Sequence, residues 1–225
     1  MKAMNKQTIV RRGQLIAAGL AVMTLCACSA LLPTATPPPA FYSLDNARGI
    51  APLAAPATTP AAATAGALTL IINPPRAAAG FDSQRIIYVR EPHKLDYFAR
   101  SEWVDPPALM LGPLLVAAVE NSGAFRAVVL TPGAAAGDLR LDTDIIRLQH
   151  EFQTQPSRVR FTLRAYLVDD KTRRVLAWRE FDEYAVAASE NPYGGVVAAN
   201  RAVQTVLDKL SGFCAEAARG VRPAK

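Results

Sequence analysis

The sequence predicts an α+β domain: a largely antiparallel sheet with two amphipathic helices covering one face. Three observations predict it. Residues 139–152 and 157–167 alternate apolar and polar side chains with the period of half-buried strands. A turn at 169–173 leads into a further strand at 175–186. Apolar stripes at helical spacing flank this meander, at Leu111, Leu114, Leu115, Ala118 and Val119 before it and from Val196 through Val203, Leu207, Leu210 and Cys214 after it. Grouped strands bordered by amphipathic helices make a sheet with helices on one side.

The chain opens with a targeting segment. Lys2, Lys6, Arg11 and Arg12 precede an uncharged apolar stretch, residues 15–25, and then Leu25-Cys26-Ala27-Cys28. A basic start, a short apolar core and small residues before a processing point mark a secretory signal peptide. Eleven residues make a helix of about 16 Å, too short for a hydrocarbon core of roughly 30 Å. Leu-x-Ala-Cys resembles the lipobox of bacterial lipoproteins. The resemblance implies that residues 1–27 are removed and that Cys28 carries a covalent diacylglycerol and an N-acyl lipid. Cys26 stands where a small residue is usual. It follows Leu25, a poor cleavage residue, so Cys28 is the expected attachment site. One acyl chain binds a bilayer marginally, at about 0.8 kcal/mol per buried CH₂; two or three hold it firmly. Residues 28–40, rich in Pro, Ala and Thr, read as a tether of at most about 37 Å in polyproline II form.

The folded domain is expected over residues 41–219, with 220–225 as a tail. Residues 41–44 are a short strand. Residues 49–67 are an Ala/Pro/Thr stretch of low complexity, read as a loop. Strands follow at 68–72, 86–90 and 95–103. Asp105 is placed to cap a helix that begins at Pro106-Pro107, where missing amides cost nothing. Pro113 should kink that helix near Leu109, and Asn121-Ser122-Gly123 ends it. Residues 127–130 are another strand. In the strand at 175–186 a phase shift is expected between Trp178 and Phe181. Asn191-Pro192 starts the last helix, and Gly220 is its expected stop.

The central hairpin can be assigned a register. Odd positions from Val159 to Leu167 are apolar, and Arg158, Arg160, Thr162, Arg164 and Tyr166 alternate with them. In the partner the apolar parity switches at Ile145-Ile146, as one extra residue in a β-bulge would require. With 153–156 as the loop, Phe152 faces Ser157, His150 faces Val159, Leu148 faces Phe161 and Ile146 faces Leu163. On the other face Glu151 meets Arg158, Gln149 meets Arg160 and Asp144 meets Arg164. Such cross-strand pairs contribute about 0.2–1 kcal/mol each, so they serve as register evidence.

Composition excludes some classes. Four of the 25 basic residues precede Cys28 and no acidic residue does, leaving 21 basic against 19 acidic residues, +2, in the processed chain. A nucleic-acid partner is therefore not expected. After lipidation Cys214 is the remaining cysteine; its apolar helical position reads as a small buried hydrophobe. His93 lies in a polar turn and His150 on the inward strand face, each read as structural or solvated and not catalytic. Asp142 and Asp144 read as charge partners for arginines, and Asp169-Asp170 as turn chemistry. No metal-ligand spacing, phosphate-binding glycine loop or GxSxG elbow occurs in the sequence. No catalytic, cofactor-binding or metal-binding residue is assigned, and the chain is not expected to be an enzyme. The exposed strand face (Arg158, Arg160, Arg164, Tyr166) reads as solvated, with partner contact as the alternative.

The ordered features are together distinctive. A lipobox leads to Phe41-Tyr42-x-Leu44. A strand ending in proline follows, then Arg85-Ile86-Ile87-Tyr88, then Tyr97 and Trp103-x-x-Pro106 opening an amphipathic helix, then Asn121-Ser122-Gly123-x-Phe125. This set resembles the ABC-type transport auxiliary lipoproteins, the paraquat-inducible C-type group encoded with MCE-domain lipid transporters. It spans roughly residues 41–218. The 49–67 insert and the Pro-Pro helix start depart from the usual pattern. The resemblance implies an accessory with no catalytic residues, lipid-anchored at the periplasmic face of the outer membrane. That placement fits Ser29, because an aspartate there favours inner-membrane retention in enterobacterial lipoproteins. The implied partners are an MCE-domain protein and ABC transporter subunits, and the implied cargo is phospholipid or another apolar molecule. A lipid-binding carrier and an assembly or secretion accessory stay open as alternatives. So does a homo-oligomer, since an uncovered strand edge can pair between copies.

Overall fold

The structure, a computed structural model, describes residues 38–45, 68–133 and 136–221. The signal segment, Cys28, most of the tether and the low-complexity stretch lie outside the described residues. The strands are β1 (Ala40–Tyr42), β2 (Thr69–Ile72), β3 (Arg76–Ala77), β4 (Arg85–Val89), β5 (Asp96–Trp103), β6 (Ala127–Leu130), β7 (Leu139–Glu151), β8 (Arg158–Asp169) and β9 (Val175–Val186). The helices are α1 (Pro107–Asn121) and α2 (Pro192–Val221).

The α+β class holds, and the sheet is mixed. β7, β8 and β9 form a long antiparallel meander. Along its other edge β7 takes three short parallel partners in turn: β2 at Leu139–Leu141, β3 at Asp144–Ile145 and β4 at His150–Glu151. β6 extends β2 in parallel, β5 pairs antiparallel with β4, and β1 closes the far side in parallel with β5. The alternation pattern shows which face a strand buries, not which strand lies beside it. Parallel partners are separated by crossover connections, so the sequence did not reveal them.

Both helices pack on the inward face. Leu111, Leu115 and Val119 of α1 join Val203, Val206, Leu207 and Leu210 of α2 over Leu141, Ile145, Phe161, Leu163 and Leu167, all buried in one cluster. The predicted hairpin register is met from Glu151↔Arg158 through His150↔Val159 to Leu148↔Phe161, and again at Asp144↔Arg164. Phe152 lies beyond the end of β7 and is not paired with Ser157, and one position within the ladder differs. Ile145, not Ile146, faces Leu163, and Ile146 is the extra residue of the bulge. Ile145 is fully buried whereas Ile146 is half-buried, so the bulge discards the isoleucine with less to bury.

The charge partners shift where a third strand competes. Arg158 does reach Glu151 (3.1 Å). Arg160, however, donates two hydrogen bonds to Asp182 (2.8 and 2.7 Å), and Arg164 pairs with Glu180 across β9 (2.7 Å). Asp144 turns instead to Arg76 of β3 (2.9 Å), and Asp142 accepts from Asn73 (2.6 Å) and Arg140 (3.3 Å). β8 lies between two acidic strands, and the hairpin alone could not show which would win.

Several terminal and phase expectations are corrected. Trp178 and Phe181 need no phase shift between them. Trp178 faces Tyr166 on the outer face and Phe181 faces Leu163 inside; the irregularity lies near Leu176. Asp105 does not cap α1. Pro106 holds the cap position with no side-chain hydrogen bond, and Pro107 removes one of the amides a cap would satisfy. α1 runs through Pro113. At its end Ser122 donates backbone and hydroxyl bonds to the Val119 carbonyl (3.1 and 2.6 Å), and Gly123, at φ 63°, donates to Glu120 (3.0 Å). Gly220 lies inside the last turn of α2 rather than ending it. The start of α2 is as read: the Asn191 Oδ1 accepts from the Gly194 amide (2.9 Å).

Candidate docking groove

The residues singled out in the sequence occupy separate places. His93 sits in an exposed turn at φ 67°. Asp169 accepts from the amides of Lys171 (3.1 Å) and Thr172 (2.7 Å), the expected turn chemistry. Cys214 is buried, and burial pushes its thiol up to about 12. A thiol that stays protonated is a packing group and not a nucleophile. Among the described residues no group of three or more His, Cys, Asp or Glu is placed to hold a metal ion.

His150 is a buried titratable group on the inward face of β7. Its Nε2 lies 2.8 Å from the Ser157 hydroxyl, and its Nδ1 has no hydrogen-bond partner. The ring stacks near Phe152 (4.1 Å between centroids), and Gly195 of α2 abuts the Nδ1 edge so closely that a Cβ there would sit 2.5 Å away. Burial lowers the His150 pKa below 6.5, Glu190 opposes this and Arg90 adds to it. The folded state thus prefers the neutral ring. Its stability should be intact above pH 6.5 and fall as pH drops below that value, by at most about 1.4 kcal/mol per pH unit. The carboxylates held low, Asp182 by its Arg160 hydrogen bonds, Glu190 by the Ser157 amide and Asp169 by the Thr172 amide, lose their contribution only at more acidic pH. Urea midpoints at pH 7.5 and 5.5 check this. His150→Gln should flatten the difference, and an unchanged slope would rule out His150 as its source.

The arginine face of β8 is self-neutralised. Arg158, Arg160 and Arg164 each hold a carboxylate, and the Tyr184 ring is stacked by Arg158 (4.1 Å) and Arg160 (5.1 Å). The strand beyond it behaves differently. Among the described residues β9 pairs only with β8, so one edge of a twelve-residue strand is free. A groove of about 660 Å³ runs along that edge. It is lined by five consecutive β9 residues, Arg179 to Glu183, facing Lys209, Gly212, Phe213, Glu216 and Arg219 of α2. Consecutive residues point to opposite faces of a sheet, so what they share is the strand's open edge.

The groove has an aromatic floor and charged walls. Phe181 meets Phe213 edge-on (6.1 Å), Arg179 stacks over Phe213 (5.0 Å), and Lys209 is hydrogen-bonded to Glu183. An open strand edge facing a helix is the geometry that accepts an extended peptide as an added strand. Arg179 and Glu183, facing the helix side of the edge, and the irregularity near Leu176 discourage indiscriminate pairing. The sequence held part of the signal: an amphipathic strand and helix, each with charges beside an aromatic. That the two share one slot is tertiary.

A second space, apolar and lined by Ile86, Trp103, Val159 and His150, measures only about 10 Å³, far short of an acyl chain.

A family model for the ABC-type transport auxiliary lipoprotein component matches residues 52–211. The chain belongs to that family. It is a transport auxiliary family. Among solved structures, a Xanthomonas campestris protein of the DUF330 family shares 26% identity with this auxiliary lipoprotein, over 68% of this chain and 87% of that one, at a TM-score of 0.64. An uncharacterized protein is 11% identical over 79% of this chain and 99% of the other, at a TM-score of 0.59, a likeness of fold alone. No curated protein matches the chain.

Proposed function

We propose that this auxiliary lipoprotein serves an MCE-type ABC lipid transport system. It would be anchored by lipid on Cys28 to the periplasmic face of the outer membrane and would act by binding a partner protein. The groove between β9 and α2 would take an extended segment of the MCE-domain protein as an added strand. Its free edge is the observation that carries this reading, because main-chain hydrogen bonding provides affinity without a catalytic or lipid-filled site. The charged lining of that groove and the small volume beside His150 speak for protein docking over lipid carriage.

Gly212 permits a direct test. It lies on the helical wall, and a Cβ added there meets nothing within 4 Å. Gly212→Arg should therefore leave the fold intact while filling the groove. The full-length lipoprotein, purified in detergent from its native envelope, is expected to bring down an MCE protein and transporter subunits. The variant is expected to lose them at least about tenfold, a cost of 1.4 kcal/mol or more. Recovery of a secretion or assembly component instead would replace the transport reading. Bound phospholipid without a protein partner would favour a carrier.

A further inference from the structure

Large exposed apolar side chains gather where the tether enters the domain. Phe41 is 58% exposed, Val104 48%, Leu109 62% and Tyr193 63%. All four border the short run from β1 to Leu44. Phe41 belongs to β1 itself. The Val104 amide donates to the Tyr42 carbonyl (2.8 Å), and the Tyr193 ring lies 6.5 Å from that of Tyr42. Leu109 precedes Met110, whose Sδ accepts from the Leu44 amide (3.4 Å). β1 is an edge strand, paired among the described residues only with β5. The start of α1, the start of α2 and the end of β5 thus present apolar groups around β1.

We propose that this rim is the face the domain lays on its membrane, with Phe41, Leu109 and Tyr193 seated in the headgroup and upper acyl region. The inference rests on the reading of Cys28 as the lipidated residue. Ala40 lies twelve residues after Cys28, so in polyproline II form the tether holds β1 within about 37 Å of its anchor. Of the domain's surface, the part next to β1 is therefore held at the highest effective concentration against the bilayer. Tyrosine and other aromatic side chains are favoured at that boundary, where one end is apolar and the other wet. The charged residues nearest β1 carry both signs, since Glu102 is the strand partner of Phe41 and of Arg85, and Asp45 follows the run from β1 to Leu44. The contact is therefore with the apolar and zwitterionic part of the lipid, with no call for an anionic headgroup. The groove between β9 and α2 takes no part in the rim, so the domain can lie on lipid and hold a partner at once.

The test uses the full-length lipidated protein reconstituted in phosphatidylcholine vesicles, with and without bromine on the upper acyl chains. Three variants, Tyr193→Trp, Phe41→Trp and Tyr184→Trp, report on two rim sites and on the outer sheet face. Groups seated about 5–10 Å into the boundary lie within reach of bromine, so the added emission at 193 and 41 is expected to fall about twofold, and that at 184 to stay unchanged. Equal and negligible quenching at all three sites, with the protein still floating with the vesicles, overturns the membrane-facing assignment and leaves the anchor standing. So does a blue-shifted, unquenched signal at 193, which would mark a protein partner or a second copy on the rim. Protein that does not float with the vesicles overturns the anchor reading and the assignment together.

Discussion

Replacing Phe161 by alanine is expected to destabilise the domain by about 3–5 kcal/mol, the cost of emptying a fully buried phenylalanine site. Phe161 is completely buried in the first half of β8, opposite Leu148 on one side and Glu183 on the other, in the cluster shared with both helices. Its neighbours cannot close the cavity cheaply, because β8 is hydrogen-bonded along both edges. Tyr184→Ala provides the contrast. That ring lies on the opposite face, is partly exposed and is held by arginine stacking, which is worth about 0.5–1 kcal/mol at such a site. Urea unfolding of both variants measures the difference. If Phe161→Ala cost no more than Tyr184→Ala, the assignment of the helix-covered face as the core would be wrong.

Gly194→Ala is expected to cost about 2 kcal/mol, although alanine is the better helix former. A Cβ at Gly194 would stand 2.2 Å from the Ser189 carbonyl oxygen and 2.9 Å from the Ser189 amide nitrogen. These are backbone atoms of the turn that delivers Asn191 to cap α2, where Ser189 Oγ also donates to Asn191 Oδ1 (3.0 Å). Relieving the clash means moving that turn. The cost is overpacking of about 1–3 kcal/mol and a weakened cap of about 1 kcal/mol, against a propensity gain of at most about 1 kcal/mol. Gly212→Ala in the same helix meets nothing and is expected to stabilise by about 0.5–1 kcal/mol. Thermal unfolding of the two variants should therefore shift in opposite directions. A stabilised Gly194→Ala would mean that the turn is free to move.

Much of the architecture was legible because it rests on local patterning. The alternation in β7 and β8 identified the buried face and the register from Glu151↔Arg158 to Leu148↔Phe161 and at Asp144↔Arg164, but not at Ile146, and the assigned Phe152–Ser157 pair lies beyond the ends of the two strands. The bulge was visible as a change of parity. Which isoleucine it would expel was not, since both are apolar and equally β-branched, and the choice depends on the room beneath the helices. Trp178 was misjudged for a related reason. A large aromatic reads as core, yet its place beside Tyr166 on the wet face is set by the register with β8.

The sequence by itself determined the signal-like N-terminus and its lipobox pattern, the α+β class, the hairpin with its register, and the two helices with their apolar stripes. These follow from spacing along the chain, and their periods depend only on backbone geometry. The tertiary structure decided the rest: the three parallel partners of β7, the transfer of Arg160 and Arg164 to β9, the close approach of Gly195 to His150, and the groove between β9 and α2. Each joins residues far apart in the chain, and nothing local distinguishes a strand that will be paired on both edges from one that will be left open on one.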